Sequence, residues 1–541
     1  MQADSRKIIS ENIVADRSKL KIICVFLHRI YFGRIPYERQ YRGKKRKAMN
    51  ITELQQSYAS HPNVEGVCRL LKDNSVRHLY CGGLYASAAS LFSSVLVQRA
   101  TCPLVFILGD MEEAGYFYHD LTQILGTEQV LFFPSSFRRA IKYGQKDAAN
   151  EILRTEVLSR LQKGEEGLCV VTYPDALAEK VVSRKELGEN TLKLHAGERV
   201  DMNFVTDVLR SYGFEYVDYV YEPGQYAVRG SIIDVFSFSS EYPFRIDFFG
   251  DEVESVRTFE VETQLSKEKK ESIVIVPDLS HSLEKKGSGG MVSFLDFLPS
   301  DSLLAMRDFL WLRERIQTVH DESLTPQAIA ARESEENGAI TLEGKLIDGG
   351  EFTLRALDFR RMEFGNKPTG TPDATVSFHT TVQPIFHKNF DMVAESFREY
   401  LSRHYTIYIC SDSLKQTDRI RAIFEDRGDN ISFTAVERTL HEGFADDTLR
   451  ICVFTDHQLF DRFHKYNLKS DKARSGKVAL SLKELNQFTP GDYVVHTDHG
   501  VGRFAGLVRI PNGDTTQEVM KIVYQNEDVV FVSIHSLHKV S

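Results

Sequence analysis

Residues 79–99, LYCGGLYASAASLFSSVLVQR, read as a short apolar strand, a glycine-containing loop and a helix. That is the order of segments around a phosphate-binding loop, whose pattern is G-x-x-x-x-G-K-[S/T]. On this pattern Gly83 takes the first glycine and Ser90 the hydroxyl position, but Ala88 and Ala89 stand where glycine and lysine belong. The lysine that contacts phosphate is missing, and Ala88 adds a Cβ where the backbone must approach the ligand. The stretch predicts a nucleotide-type fold with a degenerate, inactive loop.

The second half of a nucleotide site is incomplete as well. Phosphate-loop enzymes hold Mg²⁺ through an acidic residue that follows a second apolar strand. The nearest candidate, SLLAMRD at residues 302–308, ends in Arg307-Asp308, and no intact GKT or DEAD-like box occurs elsewhere. The sequence therefore predicts no catalytic residue. The alternative that stays open is an ATP-dependent, helicase-like or translocase-like DNA-processing enzyme with a divergent but active loop.

The pattern around this loop predicts a multidomain α/β protein. Short apolar strands such as PLVFILGD (103–110) and GLCVVTYPD (167–175) alternate with helical segments, which is typical of a parallel sheet. Closely spaced strands with a Gly250-Asp251 turn then indicate an inserted α+β module. Strand–helix patterning returns in a further small α/β domain near 404–428, and the strand-rich end of the chain predicts a small β-barrel.

Composition limits the function classes. The 541 residues are 42% hydrophobic and 26% charged, as in soluble globular proteins, and the seven cysteines lack C-x-x-C spacing. We expect reduced, buried thiols in a cytoplasmic protein, with no metal site. Residues 1–48 hold thirteen Lys and Arg against four Asp and Glu, so they carry +9 and the rest carries −18. We expect a basic extension without fixed structure, no membrane span, and only weak DNA contact, for which RTLHEGF (438–444) and KSDKARSGK (469–477) are local candidates.

Two long motifs carry a family resemblance. YEPGQYAVRGSIIDVFSFSSEYPFRIDFFGDEVESVRTFEVETQLS (221–266) closely resembles the module shared by bacterial transcription-repair coupling factors and the excision-repair protein UvrB. PGDYVVHTDHGVGRFAGL (490–507) resembles the CarD-like, RNA-polymerase-interacting domain of the coupling factor. The resemblance covers residues 49–541, and it places the family's DNA-translocating motor, with its ATP and Mg²⁺, downstream of Ser541.

The resemblance also implies domain boundaries. In order, they are a basic extension (1–48), a degenerate RecA-like and UvrB-like nucleotide-fold domain (49–190), a UvrA-binding module (191–270), a further UvrB-like part (271–385), a small α/β domain (386–470), a linker (471–480), and a CarD-like or Tudor-like small barrel (481–541). The implied function is that of an adaptor in transcription-coupled nucleotide excision repair, which recruits the excision-repair protein UvrA to RNA polymerase stalled at DNA lesions. No cofactor is expected in this chain.

The strand FRIDFF suggests where UvrA would bind. Alternation sends Phe244 and the residues in step with it to the core, and Arg245 and Phe249 to the outer face. Arginines and aromatic side chains are enriched at interface hot spots. The family contact uses two arginines and a phenylalanine that match Arg229, Arg245 and Phe249, and we expect all three to be largely exposed. The alternative is that Arg245 forms an ordinary surface ion pair with a neighbouring carboxylate.

The resemblance implies that the strand after HGVGRFAG contacts the β chain of RNA polymerase. This strand consists of Leu507, Val508, Arg509 and Ile510, before a Pro-Asn-Gly turn. An exposed strand edge offers unpaired backbone groups to a partner strand. Alternation puts Leu507 and Arg509 on one face and the other two on the opposite face. The resemblance assigns Ile510 to polymerase, and the alternative is that Ile510 belongs to the barrel core.

Paired histidines near the end of the chain raise the question of zinc. His496 and His499 are three residues apart, and His535 and His538 repeat the spacing. Three-residue spacing on one strand sends side chains to opposite faces, which suits a shared metal badly. We therefore expect turn and surface histidines there.

Overall fold

The structure of the protein is a computed structural model. It describes residues 48–136, 148–261, 263–278, 290–323, 344–462, 464, 466, 468, 489–496, 499–512, 515–525, 528–533 and 540. Residues 1–47 of the predicted extension, the predicted linker 471–480, and His535 and His538 lie outside this set. Among the described residues, no helix combines the length and the apolar character that crossing a bilayer requires.

The first described part of the chain alternates strands and helices. Its elements are β1 (Met49–Asn50), α1 (Ile51–Ala59), α2 (Pro62–Leu70), β2 (His78–Gly82), α3 (Ala88–Arg99), β3 (Leu104–Ile107), α4 (Met111–Leu125), β4 (Val130–Phe133), α5 (Ala148–Lys163), β5 (Cys169–Thr172), α6 (Pro174–Ala178), β6 (Val181–Val182) and α7 (Arg184–Glu189). Every residue of β3, β4 and β5 is buried, as expected for parallel strands covered by helices on both faces. Asn50 begins α1 with a capping box to Glu53.

A module of antiparallel strands follows. Its elements are β7 (Leu192–His195), α8 (Met202–Ser211), β8 (Glu215–Tyr216), β9 (Gln225–Arg229), β10 (Ile232–Val235), β11 (Phe244–Phe249), β12 (Glu252–Phe259), β13 (Ser266–Lys270) and β14 (Ser272–Ile275). Six strands form one sheet in the order β13-β12-β11-β10-β9-β8, in which only the short β8 runs parallel to its neighbour. The predicted alternation in β11 is confirmed, since Phe244, Ile246 and Phe248 are buried with Val205 and Leu209 of α8.

The chain then returns to the first sheet. The elements are β15 (Met291–Val292), α9 (Phe294–Phe297), β16 (Leu303–Met306), α10 (Phe309–Ser323), α11 (Gly349–Ala356), β17 (Arg360–Glu363) and β18 (Ala374–Ser377). The completed sheet has the order β18-β2-β17-β16-β3-β5-β4, and every neighbouring pair is parallel, which confirms the predicted parallel sheet. Parallel strands end at a common edge, so the loop after β2 lies near the ends of β3 and β16.

A second mixed sheet packs beside the first. Its elements are β19 (Thr380–Val382), α12 (Phe390–Ser402), β20 (Thr406–Ser411), α13 (Leu414–Asp426), β21 (Thr434–Glu437), β22 (Phe444–Asp446), β23 (Ile451–Thr455) and α14 (Asp456–Leu459). The strand order is β1-β21-β20-β23-β22-β19. The early strand β1 therefore belongs to this later sheet, and the Tyr58 hydroxyl of α1 donates a 3.0 Å hydrogen bond to buried Asp446. These contacts tie the two α/β parts together.

The last described strands form an antiparallel sheet. They are β24 (Tyr493–His496), β25 (Gly500–Asn512), β26 (Thr515–Val523) and β27 (Val529–Ser533), in chain order across the sheet. The small core consists of Val494, Phe504, Met520, Ile522, Val532 and Val540. One antiparallel bridge joins His496 to Val540. Closure into a barrel stays a prediction.

Candidate functional site

The degenerate loop packs closely against the rest of the protein at several positions. Gly83 has φ +76°, and a Cβ there would come within 2.1 Å of the Phe378 carbonyl oxygen. Ala88 and Ala89 are 0% and 1% exposed, at the start of α3. Ser90 is buried too, and its Oγ donates a 2.9 Å hydrogen bond to Asp120 Oδ2. Three of the four predicted loop positions are thus buried, and Gly83 is half-buried.

Asp120 on α4 is the centre of this arrangement. Its Oδ2 also accepts a 2.6 Å hydrogen bond from Ser87 Oγ, and its Oδ1 accepts a 2.7 Å bond from the His441 backbone N–H. Burial raises the pKa of the Asp120 carboxyl to about 6, against the hydrogen bonds from Ser87, His441 and Ser90, which lower it. The Asp120 carboxylate therefore takes the Ser90 hydroxyl, which in a working loop would contact the Mg²⁺ of the nucleotide.

The segment RTLHEGF closes the loop from the side of the second sheet. The Glu442 backbone N–H donates to Ser87 Oγ at 3.0 Å, and the Ser87 N–H donates to the Glu442 carbonyl at 3.4 Å. Thr439, Leu440 and Phe444 of the same segment are buried. Arg438, the basic residue of this segment, is exposed, so the DNA contact stays a prediction.

A small acidic cavity of about 350 Å³ remains beside the filled loop. The charged side chains that line it are Asp110, Glu112, Glu113, Asp120, Arg307 and Glu442. Arg307, which stands where an acidic metal ligand was sought, pairs instead with Glu113 at 2.8 Å. Among the described residues that line the cavity, five carboxylates face one arginine, so the local charge opposes a polyphosphate.

Sequence reasoning missed a cluster of histidines next to this cavity, of which His119 and His457 are buried and His441 and His464 are half-buried. The His441 ring stacks on Tyr116 with centroids 3.6 Å apart, and His457 stacks on His464 at 4.4 Å. His119 meets His464 edge-on at 5.1 Å. Burial lowers the pKa of His119, His441 and His457 to about 4, and it lowers that of His464. These histidines are far apart in the sequence, so spacing gave no signal for the cluster.

Acid should therefore destabilise the junction of the two sheets. Each of the three strongly shifted histidines binds a proton in the unfolded chain at its ordinary pKa of 6.5, but in the fold only near 4. The contribution of each neutral histidine to the free energy of unfolding is fully present above pH 6.5, its ordinary pKa. It falls by up to about 1.4 kcal/mol per pH unit per histidine as the pH drops toward the folded value.

His441→Phe isolates this effect. Phenylalanine keeps the ring on Tyr116 and the backbone N–H that donates to Asp120, but it does not titrate. We expect a smaller loss of Tm than in the unmodified protein between about pH 7 and about pH 5. Three charged side chains also interact with the cluster, namely Asp412, Asp456 and Arg462, and the raised pKa of Asp120 changes stability with pH in the opposite direction. All four are present in both proteins, so their contributions cancel in the comparison. Equal losses of Tm would contradict the assignment.

Arg229 and Arg245 converge on one carboxylate in the antiparallel module. Asp234 is 1% exposed and accepts hydrogen bonds from Arg245 Nε at 2.7 Å and Arg245 Nη2 at 2.9 Å, while Arg229 Nη2 pairs with the same group. The guanidinium of Arg245 also lies 4.4 Å from the centre of the Phe259 ring. The Arg245 side chain is only 14% exposed, so the expectation that it is largely exposed was wrong.

Phe249 differs from both arginines. It ends β11 at the Gly250-Asp251 turn, and 79% of it is exposed. Phe204, Tyr216 and Leu265 are further exposed apolar residues of the module. The prediction of an exposed aromatic residue at 249 is confirmed.

The predicted polymerase strand is an edge over part of its length. β24 pairs with residues 500–503 of β25, whereas β26 pairs with residues 503–512. Among the described strands, none pairs with residues 507–512 on the side away from β26. Leu507 is 36% exposed and Val508 is partly buried. The side chains of Arg509 and Ile510 lie outside the described set, so the assignment of Ile510 stays a prediction.

The two nearby histidines are closer than the spacing argument allowed. β24 ends at His496 and pairs antiparallel with β25, with His496 opposite Gly500, and the rings of His496 and His499 are 4.7 Å apart between centroids. The premise of one continuous strand was wrong. Within the described residues, no group of three or more potential ligands has the geometry to hold a metal ion.

Comparison with known proteins places these surfaces in matched regions. The family model of the UvrB interaction domain matches residues 192–281, and that of the CarD-like/TRCF RID domain matches residues 488–541. The transcription-repair-coupling factor of Staphylococcus aureus (strain bovine RF122 / ET3-1) is 23% identical over 522 residues, and that of Bacillus subtilis (strain 168) is 22% identical over 536. The chain resembles the transcription-repair-coupling factors.

This resemblance confirms the one inferred from the two motifs. Each of these two comparisons covers 85% of this chain but 44% of the relative, so the chain spans less than half the length of the coupling factors that it matches. The Arg229–Asp234–Arg245 array and Phe249 fall inside the UvrB interaction domain match, and the edge of β25 falls inside the CarD-like match.

Proposed function

We propose that this chain is the adaptor part of a transcription-repair-coupling factor, which recruits UvrA to RNA polymerase stalled at DNA lesions. The observation that carries the proposal is the presence, in one chain, of a UvrB interaction domain with an exposed aromatic residue and a CarD-like domain with an open strand edge. A chain that has both surfaces can bring two large partners together without a reaction of its own.

The UvrA contact combines a fixed basic patch with an apolar anchor. Asp234 holds the guanidinium groups of Arg229 and Arg245, so their positions cost little additional ordering on binding. Phe249 stands in solvent before binding and loses contact with water when a partner covers it. The arrangement suits a partner surface that offers carboxylates around a hydrophobic pocket.

Phe249→Ala should weaken UvrA binding by about 1–4 kcal/mol, which is the usual range for a hot-spot aromatic residue. Because Phe249 is exposed, the Tm should stay the same. Isothermal titration calorimetry with purified UvrA measures the affinity. Leu265→Ala is the matched control, since Leu265 is an apolar residue of the same module and is 69% exposed. Equal affinity of Phe249→Ala and the unmodified protein would contradict the proposed surface.

The polymerase contact is proposed as strand addition to β25. Residues 507–510 have β26 on one side, which leaves backbone donors and acceptors on the other side available to a strand of the polymerase β chain. Ile510→Arg should abolish binding to the polymerase β chain in a pull-down and leave the Tm unchanged. Lost binding together with a Tm lower by several degrees would instead assign Ile510 to the core.

The proposal includes the absence of an ATPase from this chain. It is supported by the buried alanines of the loop, by Asp120 on the hydroxyl and amide donors, and by the acidic cavity. Calorimetry with Mg²⁺-ATP should show no saturable heat. Mg²⁺-dependent binding at micromolar ATP would favour the alternative, an ATP-dependent DNA-processing enzyme.

A further inference from the structure

A second, larger cavity of about 750 Å³ opens at the opposite edge of the parallel sheet. Its walls include Leu104, Leu303 and Arg360, which are the first residues of β3, β16 and β17. Helix α2 and the end of α3 supply the remaining sides. The volume falls within the range of small-molecule sites, about 300–1,000 Å³. The degenerate loop lies at the other edge of this sheet, so the cavity is separate from the decayed nucleotide site.

The inner wall of this cavity is apolar. Leu71 and Ala100 line it and are partly exposed, whereas Leu96, Leu104 and Leu303, which also line it, are only 2%, 1% and 5% exposed. The thiols of Cys68 and Cys102 also line it and are partly accessible. A wall of this kind binds a hydrophobic body better than a fully hydrated ion.

The rim of the cavity carries excess positive charge. Arg69, Lys72, Arg99 and Arg360 line it, against the carboxylates of Glu65 and Asp301. Arg99 donates to the Ala59 carbonyl at 3.1 Å, and Arg360 donates to the Leu71 carbonyl at 2.5 Å. Within the described part of the chain, the side chains of Arg69 and Lys72 have no ion pair or hydrogen bond, and both are exposed. Two cations are therefore available to a ligand.

We propose that this cavity binds a small organic anion with an apolar body. The apolar wall around Leu71 and Ala100 would take the apolar part, and Arg69 and Lys72 would pair with the anionic group by charge-assisted hydrogen bonds. The partial screening of these exposed cations in water favours a ligand whose hydrophobic part supplies much of the affinity. The inference does not depend on the adaptor function.

The dye 8-anilinonaphthalene-1-sulfonate is a probe with this chemistry, and its fluorescence reports binding directly. We expect saturable binding of one dye molecule, weakened about tenfold or more by the double change Arg69→Glu and Lys72→Glu, because two attractions become repulsions. The matched control is Lys269→Glu with Lys270→Glu, which reverses two exposed charges on β13 and should leave the affinity unchanged. The milder double change Arg69→Gln and Lys72→Gln removes the charges without reversing them and should give an intermediate affinity for the dye. It tests the same contact if the charge reversal impairs folding.

Alkylation provides a second readout that locates the dye. Among the described cysteines, Cys68 and Cys102 are partly accessible, whereas Cys81, Cys169, Cys410 and Cys452 are buried. Saturating dye should slow the reaction of Cys68 and Cys102 with N-ethylmaleimide, as mapped by mass spectrometry. Dye binding that is insensitive to both changes at Arg69 and Lys72, or that leaves both thiols equally reactive, would overturn the proposal.

Discussion

Arg245→Ala should cost this protein about 2–4 kcal/mol of unfolding free energy as well as its affinity for UvrA. Asp234 is 1% exposed, and Arg245 provides two of its hydrogen bonds, at 2.7 and 2.9 Å. Without Arg245, the buried carboxylate keeps only its pairing with Arg229, whose side chain is 36% exposed and therefore screened by water. Chemical denaturation followed by circular dichroism measures the loss of stability.

Two further variants show whether Arg245→Ala loses stability because a buried charge is left unpaired or because the sheet is weakened in general. Arg257→Ala removes a more exposed arginine that pairs with Asp247 on the same face, and it should cost only about 0–1 kcal/mol. Adding Asp234→Asn to Arg245→Ala should restore part of the stability, because the uncompensated charge is then gone. An Arg245→Ala protein that is as stable as the unmodified one would contradict the buried-carboxylate account.

Ala89→Lys should destabilise the protein by about 3 kcal/mol or more and should not create an ATPase. The substitution restores the lysine of the phosphate-loop pattern, but Ala89 is 1% exposed within the core at the start of α3. A buried ammonium group must lose its hydration or its proton, and either cost lowers stability. Arg307 would still stand where an acidic residue should bind Mg²⁺, so the metal ion would lack its protein ligand.

Gln98→Lys is the matched control, since it adds the same ammonium group to the exposed end of the same helix. Its Tm should stay within a degree or two of that of the unmodified protein. Thermal unfolding measures both effects, and a coupled phosphate-release assay measures turnover. A stable Ala89→Lys protein that hydrolyses ATP would show that the loop is intact apart from its lysine.

Sequence patterns were sufficient where a local rule decides the structure. Buried tetrapeptides such as LVFI at 104–107 predicted parallel strands, and alternation in FRIDFF predicted which side chains of β11 enter the core. The exposure of Phe249 followed from the same rule together with the turn after it. The missing lysine at Ala89 was visible in the sequence, and so was the arginine at 307.

Contacts between distant parts of the chain could not be predicted in this way. Asp234 is one strand before Arg245, and nothing in its spacing identifies it as a buried partner of two arginines. Ser87 meets Glu442 across 355 positions, so the filling of the degenerate loop depends on how the two sheets pack. The same packing assembles the histidine cluster and buries Thr439, Leu440 and Phe444.

As an adaptor, this chain should join UvrA and RNA polymerase without using nucleotide. Size-exclusion chromatography with multi-angle light scattering, on a mixture of the full chain, UvrA and the polymerase β chain without ATP, tests it most directly. We expect one ternary complex with the unmodified chain. Phe249→Ala should leave a binary complex with the polymerase β chain, and Ile510→Arg should leave a binary complex with UvrA. Mutually exclusive binding of the two partners, or a complex that forms only when this chain binds ATP, would contradict it.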